Sequence, residues 1–186
     1  VDSEQLPPRS EAVEQMHFPD SADSLLLAKR RLGFEEVFEL TLAALLNKYE
    51  LLKETSLSIE FKPKLAKDFV DHLPFKLTDD QRRVVWQIYQ DLEKTQPMNR
   101  LVEGDVGSGK TVVATMAAAM TMYAGFQVAF MAPTELLARQ HADSLHKLMQ
   151  PLGLEGEVGL LVGGLSSSQK KQAQAKIKAG DMRLIV

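Results

Sequence analysis

Eight consecutive residues constrain this chain more than anything else in its sequence: Gly104-Asp105-Val106-Gly107-Ser108-Gly109-Lys110-Thr111, which satisfy G-x-x-x-x-G-K-[ST]. The pattern works only between a strand and a helix, because the turn must deliver successive backbone N–H groups to phosphate oxygens. The neighbouring sequence predicts that setting, with a strand over Arg100–Glu103 and a helix over Lys110–Ala124. Gly104, Gly107 and Gly109 are the residue type such a cradle needs, since a Cβ would obstruct a phosphate, and Ser108 adds its own N–H between them. Lys110 is expected to reach β- and γ-phosphates as a point charge, and the Thr111 hydroxyl to complete the coordination of Mg²⁺. Lys110 and Thr111 are thus the candidate catalytic residues, and Thr111 the candidate metal ligand. The helix N-terminus adds partial positive charge. Asp105 reads as a turn residue facing away, because a carboxylate aimed at a triphosphate is repelled.

Around this loop the chain alternates. Helices are expected over Glu135–Met149 and Ser167–Ala179, and strands over Gln127–Met131, Val158–Val162 and Met182–Val186. Such alternation reads as successive βαβ units and a mainly parallel sheet with helices on its faces. Upstream, Thr78-Asp79-Asp80-Gln81 has the spacing of a capping box, opening a helix that buries Val84, Val85, Ile88 and Leu92. A short helix over Leu65–Leu73 is closed by Pro74, where a domain is expected to start. Apolar residues from Leu25 to Leu52 recur at three and four, which predicts a long amphipathic helix packed on a neighbouring domain. The first 20 residues, with Pro7, Pro8 and Pro19, predict an extended connector, and a start at Val1 without Met points to sequence upstream.

Composition enters as exclusion. The 186 residues are 45% hydrophobic and 25% charged, as in an ordinary globular protein, so disorder is ruled out. With no cysteine there is no disulfide, thiolate metal site or cysteine nucleophile, which fits a reducing compartment and makes the cytoplasm the default. A net charge of −3 lacks the basic excess of a domain devoted to gripping nucleic acid. Thr111 to Thr134 holds no charged residue and tempts a membrane reading. Its Ala-rich half followed by a β-like half fits a buried helix and a central strand better.

A P-loop is shared by kinases, switch GTPases and helicases, so further residues must decide its use. They are His17-Phe18-Pro19-Asp20, Arg30-Arg31-Leu32-Gly33-Phe34-Glu35-Glu36-Val37-Phe38, Leu73-Pro74-Phe75-Lys76-Leu77-Thr78, the run Pro97 to Thr111, and Met131-Ala132-Pro133-Thr134-Glu135-Leu136-Leu137-Ala138. Together they resemble the RecG family of branched-DNA helicases, superfamily 2 motors that remodel stalled forks and recombination junctions. The resemblance covers nearly the whole chain, and the last two segments are its most specific part. It implies an α/β fold, a partial RecA-like P-loop NTPase domain with a parallel sheet, preceded by an α-helical connector. Residues 1–73 would be that connector, following a DNA wedge domain outside the sequence. Residues 74–186 would be the N-terminal part of the first RecA-like lobe, cut before the DExx motif.

By the same resemblance, Phe75 and Gln81 fall at an adenine-recognition element, where a ring stacks and an amide reads the base edge. Locally, Gln81 also completes the capping box and Phe75 suits a core position. Pro133 and Thr134 fall in helicase motif Ia, facing the nucleic-acid track, and Thr134 also suits a plain helix cap. Gly163 stands where the family places a Thr-Gly element against the DNA backbone, here without the hydroxyl. Lys170, Lys171, Lys176 and Lys178 read as a solvated helix surface. The implied cofactors are ATP and Mg²⁺, and the implied partner is branched DNA, bound by a monomer without a membrane.

No Asp-Glu pair follows an apolar strand after the P-loop, so the chain by itself is not expected to hydrolyse ATP. The lost neighbouring strand should leave a central sheet edge bare. Three alternatives stay open: a transcription-repair coupling translocase, a P-loop small-molecule kinase, and a non-catalytic nucleotide-binding scaffold.

Overall fold

Helix formation begins where the prolines of the first 20 residues predict extended chain. The computed structural model describes residues 6–186, and α1 spans Arg9–His17. Pro8 stands at its N-cap with φ −55°, where a missing N–H costs no helical bond and its carbonyl accepts Ala12 N at 3.0 Å, so it starts the helix instead of breaking it. The part of the extended expectation covering residues 1–5 lies outside the described residues. α2 runs Ala22–Leu51 from a Ser21 capping box completed by Ser24, and passes through Gly33 without a break. Ala12 of α1 and Ala28 of α2 are both fully buried where the two helices pack. Arg31 closes the seam: its Nε donates to Pro7 O at 3.1 Å and its Nη1 lies 3.4 Å from Glu35. Along α2, Leu26, Val37, Phe38, Leu40, Leu45 and Tyr49 are exposed. At about 100° per residue they cover half the helix circumference, broader than the expected stripe.

Two compact units divide between Glu54 and Thr55, so residues 55–73 fall with the second unit instead of with the helical connector. The reason is burial and backbone pairing. Ile59 N donates to Leu92 O at 2.8 Å, Ser56 N to Thr95 O at 2.7 Å, and Ile59, Leu65 and Phe69 belong to the same core as Val85, Ile88 and Met120. In this unit α3 (Pro63–Asp71) starts on Pro63, and α4 (Asp79–Leu92) starts on the Thr78–Gln81 box.

α5 (Lys110–Tyr123) is buried on most sides, through Val112, Val113, Met116, Ala119, Met120 and Met122. That burial accounts for the uncharged stretch, and no helix among the described residues is long and apolar enough to cross a membrane. After it come β1 (Val128–Ala129), α6 (Glu135–Met149), β2 (Val158–Gly159), α7 (Ser167–Ala179) and β3 (Leu184–Ile185). The three strands are parallel in the order β1-β3-β2, with Leu184 opposite both Val128 and Val158 and fully buried. The paired stretches are shorter than the expected strands. Single bonds such as Phe130 N to Ile185 O and Leu161 N to Val186 O carry the alignment a little farther.

Arg100–Glu103 is not a strand, contrary to the sequence expectation. A strand exists through a neighbour's hydrogen bonds, and among the described residues no backbone bond reaches these four. The segment is anchored by side chains instead: Val102 packs on the core, and Arg100 pairs with Asp91 and donates to Gln87.

Candidate nucleotide and nucleic-acid sites

The phosphate loop bridges Glu103 and α5. Gly107 and Gly109 have φ of +83° and +85°, in the left-handed region where an L side chain is strained. Gly104 is needed for space, since a Cβ there would stand 2.6 Å from Ser108 Oγ. Gly109 occupies the N-cap of α5 without a side chain to offer, so the leading N–H groups of the helix stay available to an anion. Lys110 folds over the loop, its Nζ donating to Gly104 O at 2.5 Å and Asp105 O at 2.8 Å. The ammonium therefore already sits within the concave loop, held by two neutral acceptors that an anion can outcompete. Thr111 stands in the first turn of α5 beside Lys110, and its hydroxyl oxygen is of the kind that can ligate a cation. Glycines, free N–H groups, an ammonium and a hydroxyl are the donor set that a magnesium nucleoside triphosphate requires.

Gln81 is engaged at both ends of its amide. Its Oε1 accepts Thr78 N at 2.9 Å, its N donates to Thr78 Oγ1 at 3.2 Å, and its Nε2 donates to Ser108 O at 2.7 Å. One side chain thus caps α4 and fastens that cap to the phosphate loop. Phe75 and Gln81 do not share a pocket. Phe75 lines a cavity of about 650 Å³ together with Gly107–Thr111, whereas Gln81 lines one of about 450 Å³ on the other flank of the loop, with Gly104 and Asp105. The larger cavity is completed by Ser144, Lys147 and Leu148 of α6, which the sequence did not single out. Nothing in the helical spacing of α6 distinguishes a pocket-facing lysine from a solvated one.

A third cavity, of about 380 Å³, opens at the carboxyl ends of β1, β2 and β3, and it brings Pro133, Thr134 and Gly163 together. Thr134 is the N-cap of α6, its Oγ1 accepting Leu137 N at 3.3 Å. Glu135 beside it accepts from Arg139 at 2.8 Å and from Gly164 N at 2.9 Å. The Arg139 guanidinium first, and then the Gly164 N–H, hold its carboxyl below the usual carboxylate range. Lys170 departs from the solvated surface expected of the lysine run: it is half-buried and its Nζ donates to Gly163 O at 2.7 Å.

Residues 78–186 match the DEAD/DEAH box helicase family. The ATP-dependent DNA helicase RecG of Synechocystis sp. is 45% identical over 177 residues, which are 94% of this chain and 21% of that protein. The ATP-dependent DNA helicase RecG of Borreliella burgdorferi is 41% identical over 181 residues, 95% of this chain and 25% of the relative. A solved structure of RecG bound to a three-way DNA junction superposes with a TM-score of 0.83 at 36% identity, over 100% of this chain and 25% of that one. The chain therefore spans about a fifth to a quarter of the length of these relatives.

Proposed function

The chain belongs to the DEAD/DEAH box helicase family, and from that premise we propose that it is the ATP-binding front half of the first motor lobe of a RecG-type enzyme. The enzyme would use ATP to remodel branched DNA, at stalled forks and recombination junctions, as a cytoplasmic monomer. The observation that carries the reading is the phosphate loop itself, with Gly107 and Gly109 at positive φ and the Lys110 ammonium drawn inside it.

Magnesium-ATP would be held by the N–H groups of Gly107 to Thr111, by Lys110 and by the Thr111 hydroxyl; when bound, it supplies the phosphoanhydride bond whose cleavage drives movement. Lys110 gives up the carbonyls of Gly104 and Asp105 for phosphate oxygens. Phe75 offers an apolar face at the base end of the larger cavity, while Gln81 keeps the loop fixed to α4 through Ser108. The cavity at the carboxyl ends of the strands serves DNA: Thr134 and the N-terminus of α6 donate to a backbone phosphate, and Pro133 and Gly163 allow close approach. The cavity lined by Thr134 and Gly163 lies at the carboxyl end of the sheet, the end where open parallel sheets bind ligands.

The test is ATP hydrolysis by the full-length protein with forked, linear duplex and single-stranded DNA at equal nucleotide concentration. Strongest stimulation by forks is the expected result. Indifference to DNA would remove the motor reading, and equal response to all three would remove the branched-DNA part.

A further inference from the structure

Glu135 puts a carboxylate on the first turn of α6, beside the cavity proposed to receive a DNA phosphate. Left free, that charge would repel the phosphate. It is engaged on two sides, by Arg139 at 2.8 Å and by the Gly164 N–H at 2.9 Å. From a different element, Lys170 Nζ grips the carbonyl of Gly163 at 2.7 Å. The two-glycine turn is therefore held at a donor by α6 and at an acceptor by α7. The link depends on the absence of a side chain at Gly164, because a Cβ would stand 2.6 Å from Glu135 Oε1 and 2.8 Å from Oε2 and would displace the carboxylate. Its φ is not positive, so a side chain there brings no backbone strain and acts by pushing the Glu135 carboxylate away. Two adjacent glycines carry the largest backbone entropy to lose, and a turn already ordered before binding spares the complex that loss.

We propose that Glu135 is a positioning residue for DNA, fastening the Gly163-Gly164 turn to the N-terminus of α6 so that Thr134 and Gly163 meet the DNA backbone as one preset surface. The inference rests on the proposed DNA-facing role of Thr134 and Gly163. It gives the carboxylate in this segment a task other than solvation, and it assigns Lys170 the matching task from the opposite side of the turn.

Glu135→Ala and Gly164→Ala break the same link from its two ends. In Gly164→Ala only the tip of a flexible side chain must move, so that variant stays folded. In the full-length protein each should raise the DNA concentration giving half-maximal ATPase stimulation about tenfold, the scale of a lost hydrogen bond to a charged group. The rate at saturating DNA should stay within about twofold, as a loss of binding alone predicts. Glu135→Gln keeps an acceptor for Gly164 and should restore most of the DNA response. Amide exchange at residues 163–165, followed without DNA, should quicken in both alanine variants. An unchanged DNA requirement in both would overturn the proposal, as would a fall confined to the saturated rate. Thr134→Ala separates the two layers: if it raises the DNA requirement while Glu135→Ala does not, only the fastening idea fails, and if neither moves it, the DNA-facing reading fails as well.

Discussion

Replacing Gly109 by alanine attacks the phosphate loop in two ways at once. The residue has φ +85°, where an L side chain costs about 1–2 kcal/mol. Its new Cβ would also stand 2.4 Å from Gln81 Nε2 and 3.3 Å from Gln81 Cδ. The amide must then leave Ser108 O, which adds the net worth of one hydrogen bond, about 0.5–1.5 kcal/mol. Together these come to about 1.5–3.5 kcal/mol against the cradle, roughly a ten- to three-hundredfold loss of nucleotide affinity at 1.4 kcal/mol per decade. The assay is titration of the full-length protein with fluorescent ATP and magnesium. Gly125→Ala is the control: its φ is +89° but nothing lies within 4 Å of the added Cβ, so it should lower the thermal midpoint and leave affinity alone. In a Gln81→Ala background the collision is gone, and the loss caused by Gly109→Ala should shrink toward the strain component. Equal losses with and without Gln81, or wild-type affinity in Gly109→Ala, would refute the reasoning.

Lys147 lines the Phe75 cavity and has no ion pair among the described residues, so Lys147→Ala should weaken ATP binding about two- to fivefold, in line with an exposed charge, and less at high salt, as read by the same titration. Asp91 is held below its ordinary value of 3.8 by hydrogen bonds from Lys94 and then Arg100. A depressed carboxylate contributes stability above its unfolded pKa and loses it as pH falls through the folded value. Asp91→Asn should therefore lower the urea midpoint at neutral pH and erase part of the wild-type decline below about pH 4, and parallel acid profiles for both proteins would contradict this.

What was legible in the sequence is what local chemistry decides. The phosphate loop is a backbone device, and its glycines and lysine can be read without knowing any distant neighbour. The helices around it have sharp local stops, as with Thr134 bonding Leu137 N at the start of α6, or Gly180 at φ +84° closing α7. Errors arose where the deciding partner is remote or where a local rule has an exception. Arg100–Glu103 has β-like residues, but a strand also needs a neighbour. α1 was obscured because proline signals a break in the middle of a helix and a beginning at its cap. Residues 55–60 carry little pattern, and they join the second unit through bonds to Leu92 and Thr95 that no window of sequence contains. The same limit hid the engagement of Gln81 with Ser108, 27 positions away, and of Glu135 with Gly164, 29 positions away. In the two site cavities the motif residues could be named in advance, whereas the residues holding them in place could not.

The most direct measurement is the affinity of the full-length protein for labelled ATP with magnesium, compared with its Lys110→Ala variant at matched thermal stability. Removing the ammonium that Gly104 and Asp105 now hold in the loop should weaken binding by at least about tenfold, the scale of a charge-assisted contact with phosphate, and abolish DNA-stimulated hydrolysis. Binding equally strong in the variant, or no saturable binding by the unaltered protein, would contradict the account.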